Sequence, residues 1–195
     1  MSPLDLARQL LAHFPHDLDE PQEFRGEVTL RVRDPERIAD ICRYARDELP
    51  CQMLLDLTGV DEFDRSPRWT LVYELYSLTH HAHLRLKTGV EEAVSELPSV
   101  TSVWRTADWH EREVYDMFGL RFRGHPDLRR ILMWEGYPYH PLRKDFPLEG
   151  KPSAIAEVAF TERAPLEGGP FVTRPGARRA PEREPRAHPA DESDA

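Results

Sequence analysis

Cysteine is scarce in this sequence, which contains only Cys42 and Cys51. An iron–sulfur cluster normally takes about four thiolate ligands, so a cluster held by this chain alone is excluded. Cys42 falls in a predicted helix and Cys51 at the start of a predicted strand. The pattern favours two small buried side chains in a reducing environment, and a disulfide between them is the alternative.

Long apolar runs are also missing. No stretch approaches the roughly 18 to 20 residues that are needed to cross a bilayer. The first residues, 1–5 (Met-Ser-Pro-Leu-Asp), lack the basic and then apolar layout of a secretion signal. We therefore expect any association with a membrane to come through a partner.

Basic residues are in the minority, and the formal net charge of −9 argues against a general affinity for nucleic acid. Signatures of nucleotide binding are absent as well. Gly119 and Gly124 have the spacing of a phosphate loop, but His125 stands where the lysine is required. No Gly-x-Ser-x-Gly turn presents a nucleophilic serine. The composition, 39% hydrophobic and 31% charged, is that of a soluble chain with one sizeable core.

Periodicity predicts an early helix, a strand and a second helix. Ser2, Pro3 and Asp5 form a helix start with the spacing of a capping box. Alternation over residues 28–33 predicts a strand. Asp34 and Pro35 then start a helix, which Pro50 ends. The apolar stripes of the two helices are Leu6, Leu10, Leu11 and Phe14, and Ile38, Ile41, Cys42, Ala45 and Leu49.

Three further strands are predicted by alternation over residues 53–57, 69–75 and 82–86. The next segments are predicted to be helical at 91–97 and extended at 100–104. A last helix is predicted from a cap at Asp108 to Phe118, with Gly119 ending it. This order predicts an α+β fold, with a mostly antiparallel sheet and helices packed on one face.

The C-terminal part of the sequence is rich in proline and poor in periodicity. We assign residues 1–150 to the folded domain. Residues 151–173 are predicted to be an extended arm that binds a partner, anchored by Ile155, Val158, Phe160, Leu166 and Phe171. Residues 174–195 hold too few apolar side chains to offset the entropy of ordering and are predicted to be disordered.

Two groups of residues are candidates for chemistry. His80, His81 and His83 cluster, but a metal site needs a third suitable ligand and supporting contacts, so surface histidines are the preferred interpretation. Around the last helix lie Asp108, His110, Glu111, Glu113 and Asp116. We interpret these as a salt-bridged helix whose charges face a neighbour, because the sequence identifies no nucleophile or pocket for catalytic carboxylates.

The segment from Trp104 to Leu148 mixes aromatic residues, both signs of charge and prolines, as contact surfaces between proteins do. Three runs within it are distinctive: 111–119 (Glu-Arg-Glu-Val-Tyr-Asp-Met-Phe-Gly), 124–132 (Gly-His-Pro-Asp-Leu-Arg-Arg-Ile-Leu) and 140–148 (His-Pro-Leu-Arg-Lys-Asp-Phe-Pro-Leu). Together with residues 56–61 and 72–75 upstream, they closely resemble the signature of the 30-kilodalton subunit of respiratory complex I. In bacteria this family supplies the C-type subunit of NADH-quinone oxidoreductase, and the resemblance spans roughly residues 4–148.

The resemblance implies a non-catalytic subunit in the peripheral arm of a proton-translocating complex, at the cytoplasmic face of the bacterial inner membrane. It implies that FMN and iron–sulfur clusters, which carry electrons from NADH to quinone, reside on other subunits, and that this chain has no catalytic, cofactor or metal residues of its own. The implied partners are the quinone-pocket subunit, which is 49-kilodalton-like, and the cluster-carrying subunits (B-, I- and G-like).

We expect the signature residues to form ion pairs among themselves and with a neighbouring subunit, which would fix that subunit's position. The candidate interface residues are Glu111, Arg112, Glu113, Tyr115, Asp116, Phe118, Gly119, His125, Pro126, Arg129, Arg130, His140, Pro141, Arg143, Lys144 and Asp145.

Other interpretations remain open. An equivalent subunit occurs in related assemblies, such as membrane-bound hydrogenases and dehydrogenases with other electron donors. A free-standing metal-dependent hydrolase built on His110, Glu111, Glu113 and Asp116 is a distant alternative. A nucleic-acid-binding module is disfavoured by the negative charge.

Overall fold

The computed structural model describes residues 1–134 and 136–147; the predicted arm and tail, residues 151–173 and 174–195, lie outside this range. The chain divides into two compact units, Met1–Leu132 and Met133–Ala195.

The first helix, α1 (Pro3–His13), begins as the sequence predicts. The Ser2 hydroxyl accepts a hydrogen bond from the Asp5 N–H at 3.2 Å, and the Asp5 carboxylate accepts one from the Ser2 N–H at 2.9 Å. This reciprocal pair satisfies two backbone donors at the helix start. Three residues of the predicted stripe, Leu6, Leu10 and Phe14, are buried, and the fourth, Leu11, is half-buried.

The second helix follows a short 3₁₀ turn. Asp34 accepts a hydrogen bond from the Glu36 N–H and starts the turn Pro35–Arg37, and α2 continues over Ile38–Asp47. All five residues of the predicted stripe are buried. The predicted start is therefore confirmed, with its first turn wound more tightly than an α-helix.

The central sheet has five strands in the order β1–β2–β5–β4–β3. Only the β2–β5 pair is parallel, and the other three pairs are antiparallel. The α+β class with a mostly antiparallel sheet is therefore confirmed. The strands are β1 (Gln22–Phe24), β2 (Glu27–Val32), β3 (Met53–Asp61), β4 (Trp69–Ser77) and β5 (Ala82–Val90).

One face of this sheet carries the core. Along β5, Leu84 and Leu86 are buried while Arg85 and Lys87 are partly exposed, as the alternation predicts. Helix α1 packs against β2 and β5. Tyr73 of β4 is fully buried on the core face, where Cys42 of α2 and Glu111 of the last helix both approach it.

Two predicted segments differ in the structure. Residues 91–97, predicted to be helical, form a turn that leads into the short strand β6 (Glu96–Pro98), which pairs in parallel with β7 (Arg121–Arg123). Residues 100–104, predicted to be extended, form turns closed by hydrogen bonds from the Val103 and Trp104 N–H groups to the Val100 carbonyl. Both predictions are wrong because these short segments have no clear period, and contacts with residues distant in the chain decide their conformation.

Within the two described ranges, no helix combines the length and the apolar character needed to span a bilayer.

The described part of the second unit, residues 133–134 and 136–147, contains turns and an aromatic cluster. The ring centroids of Trp134 and Tyr137 are 4.5 Å apart, those of Tyr137 and Tyr139 are 5.7 Å apart, and those of Tyr139 and Phe146 are 5.8 Å apart. Edge-to-face and tilted aromatic pairs of this kind favour a defined local arrangement without regular secondary structure.

Two glycines in the sheet allow a graded test of packing. A Cβ at Gly89 would overlap the Pro67 ring, whereas a Cβ at Gly59 would lie 3.0 Å from Phe118 Cδ2. We expect Gly89→Ala to lower the free energy of unfolding by about 2 kcal/mol and Gly59→Ala to change it by less than about 1 kcal/mol, because a proline ring yields less than an aromatic ring edge. Urea denaturation of both variants measures this, and a larger loss for Gly59→Ala would contradict the packing described.

Candidate functional site

The candidate site is built on α3 (Ala107–Phe118). The sequence predicts Asp108 as its cap, but Asp108 lies in the first turn; the residue before the helix is Thr106, which makes no side-chain capping bond. The predicted end is confirmed. Gly119 has φ 81°, and its N–H donates to the Tyr115 carbonyl at 2.9 Å. This left-handed conformation favours glycine.

The apolar side of α3 packs against the edge strand β3. Phe118 and Val114 lie over Gly59, where the missing side chain allows close approach. The Phe118 ring also meets Trp69, with ring centroids 6.4 Å apart. These contacts position α3 along the sheet, and they explain why an aromatic residue ends this helix.

Asp116 of α3 is fully buried and gathers three donors. Its Oδ1 accepts a hydrogen bond from Arg130 Nη1 at 2.5 Å, and its Oδ2 accepts from the Ile131 and Leu132 N–H groups at 3.0 and 2.7 Å. A buried carboxylate requires such donors, because an unpaired buried charge is very costly. Asp116 therefore fixes the course of residues 129–132, which we call the strap.

Arg112 holds the same strap from one turn earlier on the helix. It is buried, and its guanidinium donates to the carbonyls of Arg129 and Arg130 at 3.2 and 3.1 Å. The guanidinium carbon also lies 5.2 Å from the centroid of the Trp109 ring, within the range of a cation–π contact. Asp116 thus binds strap donors and Arg112 binds strap acceptors.

His125 connects the segment before the strap to the start of α3. The Asp127 N–H donates to His125 Nδ1 at 3.0 Å, so the ring proton is on Nε2, which lies 3.2 Å from the Asp108 carbonyl. The side chain is fully buried. This signature histidine is therefore engaged within its own chain, while the neighbouring Pro126 is exposed.

Glu111 is buried on the side of α3 that faces the sheet, near Tyr73. Its Oε1 accepts a hydrogen bond from the Val100 N–H at 2.7 Å, and its Oε2 has no hydrogen-bond partner among the described residues. Burial raises the pKa of Glu111 to about 7, and the Val100 N–H opposes this shift without cancelling it. Glu111 is therefore largely protonated below neutral pH.

A buried phenol and a buried thiol lie near Glu111. Burial raises the pKa of Tyr73 and of Cys42 well above their ordinary values, and the Glu111 charge raises both further. Tyr73 and Cys42 are therefore uncharged at neutral pH, and Glu111 is largely protonated below it, so the region between α2, α3 and β4 then carries little charge.

Other charged residues of α3 face outwards. Glu113 is exposed, and His110 Nδ1 lies 3.2 Å from Asp56 Oδ1 at the edge of the sheet. Trp109 is 60% exposed. The exposed fraction of this large aromatic side chain is typical of residues in protein interfaces.

The remaining signature residues of the first unit have mixed environments. Tyr115 is half-buried, and Arg130 is held by Asp116. Arg129 is exposed and pairs with Asp127 at 2.8 Å. In the second unit the burial of the signature residues also varies: Pro141 is buried, His140 and Arg143 are half-buried, and Lys144 and Asp145 are exposed.

The residues of the hydrolase alternative do not share contacts. His110 pairs with Asp56, Glu111 binds Val100, Asp116 binds the strap and Glu113 faces outwards. Within residues 1–134 and 136–147, no group of three or more His, Cys, Asp or Glu side chains is placed to hold a metal ion. His83, from the histidine cluster, instead lies 2.8 Å from Glu74 on the neighbouring strand.

Both cysteines are buried free thiols. Burial raises the pKa of Cys51 to about 11, and that of Cys42 further still. Thiolates are the ligands of metals and clusters, so these thiols are poorly suited to that role. The prediction of two small buried side chains is confirmed, and the disulfide alternative is wrong.

Sequence reasoning missed one buried ion pair near α3. Arg68 binds Asp61 through two hydrogen bonds of 3.0 Å, and both side chains are buried at the end of the β3–β4 hairpin. The two residues are separated by a loop, so no periodic pattern indicates the pair. Bidentate geometry is the form of such a pair that best offsets its desolvation.

A protein-family model described as "Respiratory-chain NADH dehydrogenase, 30 Kd subunit" matches residues 31–152. Among curated proteins, the C-type subunit of NADH-quinone oxidoreductase from Geobacter sulfurreducens is 46% identical over 143 residues, which is 73% of this chain and 88% of that protein. The protein of the same name from Roseiflexus castenholzii is 48% identical over 162 residues, 82% of this chain and 89% of the other.

Two solved structures have a similar fold. A trypsin-resistant fragment of Nqo5 is 30% identical with a TM-score of 0.56, covering 63% of this chain and 98% of the fragment. A chain of the membrane-bound sulfane sulfur reductase, an archaeal respiratory membrane complex, is 24% identical with a TM-score of 0.58, covering 74% of this chain and 85% of the other. The second likeness concerns the fold alone.

Removing the Asp116 carboxylate is expected to release the strap. We expect Asp116→Ala to lower the free energy of unfolding by about 3 kcal/mol, because Arg130 and two backbone donors lose a buried acceptor. Glu113→Ala, on the exposed side of the same helix, is the control and should stay within about 0.5 kcal/mol of the parent. Urea denaturation measures both, and equal effects would contradict the role assigned to Asp116.

Glu111 should make stability depend on pH. The folded chain keeps its proton to about pH 7, whereas the ordinary pKa is 4.5, so the unfolded chain releases it first as the pH rises. The free energy of unfolding therefore decreases as the pH rises from about 4.5 to about 7. Glu111→Gln removes this pH-dependent decrease. Relative to the parent, the variant should gain roughly 3 kcal/mol from about pH 5 to about pH 8.

This difference is measured by urea denaturation at both pH values, with Glu113→Gln as the matched control. Parallel pH dependence of the parent and Glu111→Gln would show that Glu111 ionises at an ordinary pKa.

Proposed function

The chain belongs to the family of the 30 Kd subunit of respiratory-chain NADH dehydrogenase, and we propose that it is the corresponding subunit of a bacterial NADH-quinone oxidoreductase. The observation that carries this proposal is the extent of the likeness. The family match spans residues 31–152, and relatives named as this subunit are matched over most of their own length. In this proposal the chain supports electron transfer from NADH to quinone, coupled to proton translocation, without reacting itself.

The role proposed for the chain is mechanical. Glu111, Arg112 and Asp116, the buried charged residues of α3, bind groups of their own chain. These internal contacts hold α3 and the strap in place. The exposed members of the signature are therefore the ones that contact neighbouring subunits. On the first unit these include Glu113 and Arg129. The proposed partners are the quinone-pocket subunit and the cluster-carrying subunits.

We place the redox groups, FMN and iron–sulfur clusters, on other subunits. The support is chemical. A cluster needs about four thiolates, and this sequence has two cysteines, both buried and with raised pKa values. The engaged carboxylates Glu111 and Asp116 contact different segments of the chain, so they do not converge on a substrate.

The proposed location is the cytoplasmic face of the inner membrane, where the subunit would be held by other subunits of the complex. The exposed charges of the chain suit a peripheral position in aqueous surroundings. Purification with detergent-extracted membranes, and release of the chain only together with partner subunits, is the behaviour expected of such a subunit.

An equivalent subunit of a related complex is the second candidate. The fold is shared with a chain of a sulfane sulfur reductase complex, so fold alone does not select the electron donor. Copurification decides between them: flavin- and NADH-binding subunits should accompany this chain in the favoured assignment, and other electron-input subunits in the alternative.

Exposed charges of the signature should matter for assembly and not for chemistry. We expect Glu113→Lys combined with Arg129→Glu to lower the amount of assembled complex about tenfold, because like charges brought together at an interface cost several kcal/mol. Glu48→Lys, an exposed change at the end of α2, is the control. Native gels measure assembly, and NADH–quinone turnover is normalised to the complex that remains.

Turnover per assembled complex should be unchanged in the double variant. Full assembly with lost turnover would instead indicate that these residues take part in the reaction.

A further inference from the structure

The five-stranded sheet has a second face, opposite the core, that carries two neighbouring cations. Arg31 of β2 is directly paired with Lys87 of β5, and Lys87 is paired with Val72 of β4. Residues paired across strands point to the same side of a sheet. Lys87 alternates with the buried Leu86 and Thr88, so both cations lie on the open face, where Arg31 is exposed and Lys87 half-buried.

These two cations are not neutralised by the described part of the chain. Among the residues that the structure describes, no carboxylate lies within ion-pair distance of the Arg31 or Lys87 side chain, and neither side chain forms a hydrogen bond. Like charges directly opposite each other destabilise a sheet. In a chain with a net charge of −9, such a pair without counter-charge is unexpected.

The next row of the same face shows the usual arrangement. Arg85 lies 2.5 Å from Glu74 and 2.9 Å from Glu27, and His83 lies 2.8 Å from the same Glu74. Arg85 and His83 therefore both have a carboxylate within the sheet. The contrast indicates that the counter-charge of Arg31 and Lys87 is supplied from outside the described residues.

The surroundings of the pair indicate the kind of partner. Beyond Lys87 the face continues with the buried Val72 and the exposed Thr58. In the adjacent row Pro67 covers Gly89, while Thr70 is half-buried and Val60 is 40% exposed. This uncharged strip beside two cations suits a polypeptide that has carboxylates at one end and small apolar side chains along the rest. A nucleic acid is a poorer fit, because the chain as a whole would repel it.

We propose that the open face around Arg31 and Lys87 is a docking surface for an acidic polypeptide segment of a neighbouring subunit. The inference rests on the proposed function, which supplies the neighbouring subunit. It locates the contact on the sheet face, away from α3 and the strap, and it assigns the two cations as the groups that recognise the segment's carboxylates.

Lysine chemistry gives a direct test. The chain has three lysines, and Lys87 is the one on the sheet face. Labelling of Lys87 is normalised to an added standard peptide of known acetylation, because Lys144 belongs to the candidate interface and Lys151 to the predicted arm. The complex is purified from membranes, acetylated briefly and compared by mass spectrometry with the isolated full-length chain. We expect labelling of Lys87 to fall at least tenfold in the complex, and a carbodiimide to join Lys87 to an aspartate or glutamate of another subunit.

The ways in which this test can fail are distinguishable. If the chain is present in the complex but Lys87 is labelled as fast as in the isolated chain, the docking surface is wrong and the proposed function stands. If the chain does not copurify with any such complex, the proposed function is wrong and the inference falls with it. A cross-link from Lys87 only to carboxylates of its own chain would also overturn the inference.

Substitution of Arg31 distinguishes an effect on docking from an effect on the stability of the folded chain. Arg31→Glu places a carboxylate beside Lys87, so the thermal midpoint of the isolated chain should stay the same or rise, while assembled complex on native gels falls about tenfold. Arg8→Glu, the same charge change at an exposed position of α1, is the control and should leave assembly unchanged. Normal assembly of Arg31→Glu, or an equal loss in the control, would refute the assignment.

Discussion

The buried carboxylate of Asp116 is the interaction on which the candidate site depends. One oxygen binds the Arg130 guanidinium and the other binds two consecutive backbone N–H groups of the strap. Residues 129–132 form no helix or strand, so the Ile131 and Leu132 N–H groups have no backbone hydrogen bonds of a regular element. A charged acceptor inside the protein supplies what a helix or a strand would otherwise provide.

Helix α3 can hold the strap because its other contacts are fixed independently. Phe118 and Val114 pack over Gly59, and Glu111, one to two turns earlier on the same face of the helix, binds the Val100 N–H. Asp116 and Glu111 lie five positions apart on one helix, and their environments differ. Asp116 faces a guanidinium and two N–H groups, whereas Glu111 faces one N–H, the Ser99 hydroxyl, a phenol and a thiol. Two carboxyl groups of one helix therefore have different roles: Asp116 organises the strap, and Glu111, whose pKa burial raises to about 7, fills the core.

The elements that follow a regular period could be predicted from the sequence. The stripe of α2 and the alternation of β5 are local patterns, and the structure confirms both. The interpretation that the charges of this helix face a neighbour is wrong for Glu111 and Asp116, since both are fully buried and bind groups of their own chain. Their donors, Val100 and Leu132, lie 11 and 16 residues away in the chain, and no local pattern shows that a distant backbone N–H will meet a carboxylate.

This distribution of contacts gives the signature of the family a physical meaning. Its distinctive residues Arg112, Asp116 and His125 bind other parts of the same chain, so they identify a way of holding the strap against α3. A motif that encodes internal architecture does not need to mark the surface that partners contact. Recognition can then use exposed residues outside the motif, including a strand pair such as Arg31 and Lys87 whose unbalanced charge is visible only once the register of the sheet is known. This division suits the mechanical role proposed for the chain, because rigid interior contacts preserve the geometry while the exposed faces determine which neighbours bind.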